Sequence, residues 1–154
     1  AQLSRGLGDV YKRQMLTSGV NVGLGVDGSA SNDSGSLISE ARQAMLLQRV
    51  SNGADAMSAM DALELATRGG ADILGRPECG RIQVGARGDL AIWDISGIDS
   101  AGSWDPAALL LAGPKKVKHL VVEGRIIVWD GNIVTVKMSE VLSETKRLVQ
   151  NLQL

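Results

Sequence analysis

Hydrophobic positions change period along this chain, from an unbroken run to helical stripes and then to alternation. Within a strand expected over Val20–Val26, the run from Val22 is apolar and studded with glycine, and Asp27 closes it, so that Val22–Asp33 reads VGLGVDGSASND. A short continuous run bounded by turn formers suits a strand buried on both faces, as in a parallel sheet. Just before it, Met15-Leu16-Thr17-Ser18-Gly19 reads as the tail of a helix stopped by glycine. From Ser36 to Val50, Leu37, Ile38, Ala41, Ala44 and Met45 recur on one helical face, with Ser36 placed as N-cap. Glu40, Arg42, Gln43 and Arg49 lie mostly off that stripe and read as a solvated face. Ser51-Asn52-Gly53 is a break. A second helix is predicted from Ser58 to Leu74, opened by the capping-box pattern Ser58-x-x-Asp61 and ended by Gly75. Its buried stripe is predicted as Ala62, Leu63, Ala66, Gly70, Ile73 and Leu74.

Beyond Gly75 the helical period disappears. Pro77, Gly80, Gly85 and Gly88 mark turns, and Gly88–Ile95 (GDLAIWDI) reads as a strand. Trp104-Asp105-Pro106 opens a short helical piece through Leu111, with proline preset for its first turn. Val117–Val122, Arg125–Trp129 and Ile133–Lys137 are β-rich runs separated by Glu123-Gly124 and Asp130-Gly131-Asn132, which predicts an antiparallel meander. Met138–Leu154 is an amphipathic helix with Val141, Leu142, Thr145, Leu148 and Val149 on one side. Ala1 to Gln14 shows neither period and is expected to be a foreign or disordered tail. The expected organisation is therefore a strand with covering helices over 15–75, a small β unit over 76–137 and a terminal helix over 138–154.

Composition narrows the function classes. The 154 residues are 44% hydrophobic and 21% charged, which suits a folded chain rather than a disordered one. A formal charge of −1 lacks the basic excess of a nucleic-acid-binding surface. No apolar run approaches the roughly 20 residues that span a bilayer, and no signal-peptide pattern is seen. The single cysteine, Cys79, excludes an internal disulfide framework and fits a reducing cytoplasm.

Asp27 is the first candidate for chemistry, because an acid where a parallel strand gives way to loop sits at the edge that α/β folds use for their sites. Gly23-Leu24-Gly25-Val26-Asp27-Gly28 also matches G-x-G-x-x-G. A dinucleotide site would need the last glycine to open a helix, and SASNDSGS intervenes. An Asx-type turn is a third reading of the same acid. His119, the only histidine, lies inside a β-rich run with no clustered ligands and reads as a structural or surface residue.

Several blocks together carry more than any one of them. VGLGVDGSASNDSG, EARQAMLLQR, ALELATRGGADILGR, GARGDLAIWD and VVEGRIIVWDG follow one another in the order seen near the C-terminus of amidohydrolase-superfamily enzymes. The sequence resembles most the bacterial group of 8-oxoguanine deaminases and hydroxyatrazine ethylaminohydrolases, over about Met15 to Leu154. The resemblance implies the end of a metal-dependent-hydrolase (β/α)8 barrel of TIM type, part of a composite β-sandwich and a C-terminal helix. It implies a zinc-dependent aminohydrolase acting with water on a small aminated heterocycle, with Asp27 both metal ligand and proton acceptor. Ser29, Ser31 and Asn32, just beyond Asp27, would meet a purine-like ring, or equally the loop's own backbone. The family's histidine ligands and catalytic glutamate would lie upstream of Met15, so this chain alone is expected to be inactive. The strands that complete the sandwich would lie there too, leaving a sheet edge exposed. A complete enzyme could be a homo-oligomer. The contrasting expectation is a non-catalytic β module with a helical arm, serving assembly.

Overall fold

Serine and aspartate caps set where the helices begin. The computed structural model describes residues 14–28, 30–32 and 34–152, in two compact units, one running to Ala86 and resuming over Ile95–Pro114, the other comprising Arg87–Asp94 and the residues from Lys115 onward. The expected tail lies outside the described residues apart from Gln14.

In the first unit, the turn of helix at residues 14–17 ends in a Schellman motif. Val20 N–H donates to Met15 O, Gly19 N–H donates to Leu16 O, and Gly19 takes φ 72°. Residues 20–28 then run without assigned strand, and no strand among the described residues pairs with them. A strand is defined by its partner, so the expected β-run is present as sequence but not as a sheet member. Helix α1 (Leu37–Asn52) is capped by Ser36 Oγ, which accepts from Ser39 N–H at 3.3 Å, and buries Ala41, Ala44, Met45 and Gln48. Helix α2 (Ala59–Glu64) carries the predicted capping box. Ser58 N–H donates to Asp61 Oδ2 at 2.8 Å and Asp61 N–H to Ser58 Oγ at 3.0 Å. α2 continues through a π turn (Leu65–Gly69) into α3 (Gly70–Ile73).

That π turn was not foreseen, and it marks where the extended segment meets the helix. Leu24 N–H donates to Leu65 O at 3.1 Å. A Cβ on Gly69 would sit 2.3 Å from Val22 O, and one on Gly23 would sit 2.8 Å from Gly70 Cα. Backbone touches backbone here, which only glycine allows. The looser i→i+5 turn accommodates a helix carbonyl that also takes a bond from outside. It changes the phase of the buried stripe as well: Ala59, Ala62, Leu65 and Ala71 are buried, whereas the predicted Ile73 and Leu74 are exposed.

Ala41, Met45, Met57, Ala59, Ala62, Leu65, Ala107 and Leu111 form the core, with Val22 and Leu24 packed against it. Ala107 and Leu111 come from α4 (Pro106–Leu111), whose N-cap Asp105 accepts from Ala107 N–H at 2.9 Å and Ala108 N–H at 3.2 Å. The arginines read as solvated instead tie this unit together. Arg42 donates to Leu111 O at 2.8 Å and Ala112 O at 3.0 Å, closing the C-terminus of α4, and Arg49 donates to Met57 O at 2.9 Å.

The second unit is the predicted meander, four antiparallel strands in order β1 (Leu90–Trp93), β2 (Val117–Val122), β3 (Arg125–Trp129) and β4 (Asn132–Ile133). Both hairpins turn on two residues with positive φ, Glu123 (49°) with Gly124 (78°) and Asp130 (50°) with Gly131 (75°). Val122 therefore faces Arg125, and Trp129 faces Asn132. The expected run Ile133–Lys137 is a strand only at its start. β1 pairs on one side alone, so its other edge has no strand beside it among the described residues. Helix α5 (Met138–Leu152) buries none of its residues, and Val141, Leu142, Leu148 and Val149 are each about half exposed.

Candidate functional site

Asp27 ends the extended segment that the glycine contacts hold against α2 and α3. It adopts φ 61°, the left-handed region that aspartate tolerates better than most residues. Its Oδ1 accepts from Gly28 N–H at 2.8 Å, while Oδ2 makes no hydrogen bond among the described residues. The side chain is exposed. The acid thus presents one free oxygen at the end of a segment fixed by close backbone packing.

A tight loop follows. Gly28 O accepts from Ser31 N–H at 2.8 Å and from Asn32 N–H at 3.0 Å, folding the chain back at once. Asn32 Oδ1 then accepts from Ser34 N–H at 3.1 Å and Ser34 Oγ at 3.2 Å. Its Nδ2 donates to Glu40 Oε1 at 2.7 Å. An open depression of about 700 Å³ lies beside this loop, lined in part by Asp27, Ser31, Asn32, Ser34, Glu40 and Gln43. The structure therefore brings Asp27, Ser31 and Asn32 to one concavity, and Ser29 lies outside the described residues. Glu40 and Gln43, assigned from sequence to a solvated face, line the same space. Glu40 lies in the first turn of α1, one turn past the Ser36 cap, where a carboxylate meets the positive end of the helix.

The G-x-G-x-x-G reading fails on geometry. Gly28 opens a loop, and the first residue of α1 is Leu37, so no helix N-terminus stands where a pyrophosphate would need it. His119 is held in the second unit, where Nδ1 accepts from Asp130 N–H at 3.2 Å and the ring lies 4.3 Å from that of Trp129. Both contacts are to residues of the β3–β4 hairpin. Among the described residues, no group of three or more histidine, cysteine, aspartate or glutamate side chains is placed to hold a metal ion.

The amidohydrolase family model matches residues 12–127, about three quarters of the sequence. The chain belongs to the amidohydrolase family. An 8-oxoguanine deaminase from Pseudomonas aeruginosa is 42% identical over 121 residues, covering 78% of this chain and 27% of that protein. A 5-methylthioadenosine/S-adenosylhomocysteine deaminase from Desulforudis audaxviator is 33% identical over 155 residues, covering 98% of this chain and 36% of the relative. Among solved structures, an atrazine chlorohydrolase from Arthrobacter aurescens TC1 complexed with zinc superposes with TM-score 0.83 at 35% identity, over 89% of this chain and 31% of that one. An adenosine deaminase from Xanthomonas campestris with bound zinc gives 0.84 at 26% identity, over 92% and 33%.

This amidohydrolase chain spans about a quarter to a third of the length of those relatives. Its architecture is accordingly a part of the metal-hydrolase barrel fold rather than a closed barrel. No helix among the described residues is long and apolar enough to cross a membrane.

Proposed function

We propose that this chain is the C-terminal part of a zinc-dependent aminohydrolase that removes an amino group from a purine-like ring by hydrolysis, with 8-oxoguanine as the first substrate to test. The observation that carries the proposal is Asp27, exposed at the end of a rigidly packed segment beside an open depression. Its weight comes from the 42% identity to an 8-oxoguanine deaminase.

The donor set sets a limit on what this chain does alone. A catalytic zinc takes about three protein ligands and keeps one position for water. Asp27 fits as one such ligand, and the described residues supply no cluster to complete the set. The remaining ligands then belong to the part of the relatives' length that this chain does not span, and the chain by itself is inactive. When bound, a zinc would supply a water acidified enough to yield hydroxide near neutral pH.

The residues present have definable tasks. Gly28 N–H holds Asp27 Oδ1, which leaves Oδ2 to take a proton from the attacking water and pass it towards the leaving nitrogen. Ammonia leaves as the second product. Ser31, exposed on the depression, offers a hydroxyl to the edge of the ring.

The test is ammonia release from 8-oxoguanine by the complete enzyme and by its Asp27→Asn variant. Loss of general-base function should lower kcat by about a hundredfold or more. Wild-type turnover in that variant would remove Asp27 from the mechanism. Turnover of adenosine derivatives in place of 8-oxoguanine would keep the reaction class and change the substrate.

A further inference from the structure

Asn32 is occupied on both sides of its amide. Its carbonyl oxygen takes two bonds from Ser34, and its Nδ2 donates to Glu40 Oε1 at 2.7 Å. A primary amide has two donor and two acceptor positions, so three of the four are spent inside the protein. The bond to Glu40 has a carboxylate acceptor and the short length of a charge-assisted contact. Glu40 is itself half-buried and sits in the first turn of α1, a 16-residue helix anchored by the Ser36 cap and a buried face. Asn32 N–H returns to Gly28 O at 3.0 Å, and Gly28 N–H holds Asp27 Oδ1 at 2.8 Å. An unbroken series of hydrogen bonds and peptide units therefore runs from a rigid helix, through Glu40, Asn32 and Gly28, to the Asp27 carboxylate.

We propose that Glu40 and Asn32 are positioning residues that fix the direction of the Asp27 carboxylate, and that Asn32 does this in place of binding the ring. The inference rests on the reading of Asp27 as the catalytic acid–base group. Its logic is that a ligand held on a loop loses precision unless a second layer of bonds ties that loop to a helix or strand. Glu40 acts only as an acceptor here, so glutamine, which keeps an acceptor oxygen, should serve in its place. Alanine should not.

The test uses the complete enzyme with Glu40→Ala, Glu40→Gln, Asn32→Ala and the Glu40→Ala/Asn32→Ala double variant. Loss of such support costs about 10–100-fold in activity. Glu40→Ala and Asn32→Ala should each lower kcat by that factor with KM unchanged, and the double variant should be no worse than the poorer single, because both break one connection. Glu40→Gln should keep most of the turnover. Hydrogen exchange at the bonded amides of residues 31, 32 and 34 should quicken in both alanine variants and match wild type in Glu40→Gln. A rise in KM confined to Asn32→Ala would make Asn32 a substrate contact and overturn the proposal. Glu40→Gln as impaired as Glu40→Ala would make Glu40 a proton carrier and overturn it equally. Unchanged exchange in Glu40→Ala would overturn it whatever Asp27 does, whereas wild-type turnover in Asp27→Asn would sink the underlying reading instead.

Discussion

Gly69 and Gly70 are neighbours in sequence, yet they should respond to alanine in opposite ways. A Cβ on Gly69 would lie 2.3 Å from Val22 O, a backbone atom that cannot rotate aside, whereas one on Gly70 would meet nothing within 4 Å outside its own helix. Overpacking of this kind costs about 1–3 kcal/mol. Pushing residues 22–24 away would also strain the 3.1 Å bond from Leu24 N–H to Leu65 O, worth about 1 kcal/mol. Alanine recovers about 1 kcal/mol over glycine inside a helix. Gly69→Ala should therefore destabilise by roughly 1–3 kcal/mol, by these same magnitudes. Gly70→Ala, with no clash to offset that gain, should stabilise by up to about 1 kcal/mol. Urea unfolding of the two variants beside wild type measures both shifts in midpoint. Equal effects of the two substitutions would refute the close backbone contact, and with it the anchoring of the segment that carries Asp27.

Other substitutions probe single features. Ser58→Ala removes the acceptor of the capping box and should cost about 1 kcal/mol, seen as a Tm lower by a few degrees, while Ser58→Gly should cost only a few tenths. Gly131→Ala puts a Cβ at φ 75° in the β3–β4 turn and should cost about 1–2 kcal/mol, whereas Gly113→Ala, in open space without a positive φ, should be near neutral. On α5, the Arg147 guanidinium holds the Glu144 carboxyl below its ordinary value of 4.5. A lowered folded-state value means that the pair's contribution is present above 4.5 and fades as pH falls through the lowered value. Helicity followed by circular dichroism between pH 7 and pH 2 should drop less in Glu144→Gln than in wild type, and added salt should narrow the difference. An identical acid profile in the two proteins would remove the pair from the helix's stability.

The legible parts of this fold were those fixed by neighbours in sequence. Ser36 and Ser58 cap where the pattern placed them, because each cap bond reaches only three residues ahead. β2 and β3 have the limits that alternation gave them, since Glu-Gly and Asp-Gly specify two-residue turns with positive φ. The third β-rich run shortens to Asn132–Ile133 because β propensity needs a partner strand to act on. Contacts distant in sequence were not legible. The π turn follows from Val22 and Leu24 arriving beside Gly69 and Leu65, and no local signal in the helix announces it. Arg42 was read as solvated, yet its partners Leu111 O and Ala112 O lie 69 and 70 positions away. At the site, Asp27 stood out because an acid interrupts an apolar run. Glu40 did not, because an acid on the polar side of an amphipathic helix looks like every other surface acid until Asn32 is seen to reach it.

Asp27 is proposed to contribute one ligand to a zinc completed by residues outside this chain. Anomalous diffraction at the zinc edge, from crystals of the complete enzyme, reads that contact directly. A zinc about 2.0–2.2 Å from a carboxylate oxygen of Asp27 is the expected result. A bound zinc with the Asp27 carboxylate turned away from it would exclude Asp27 as a ligand.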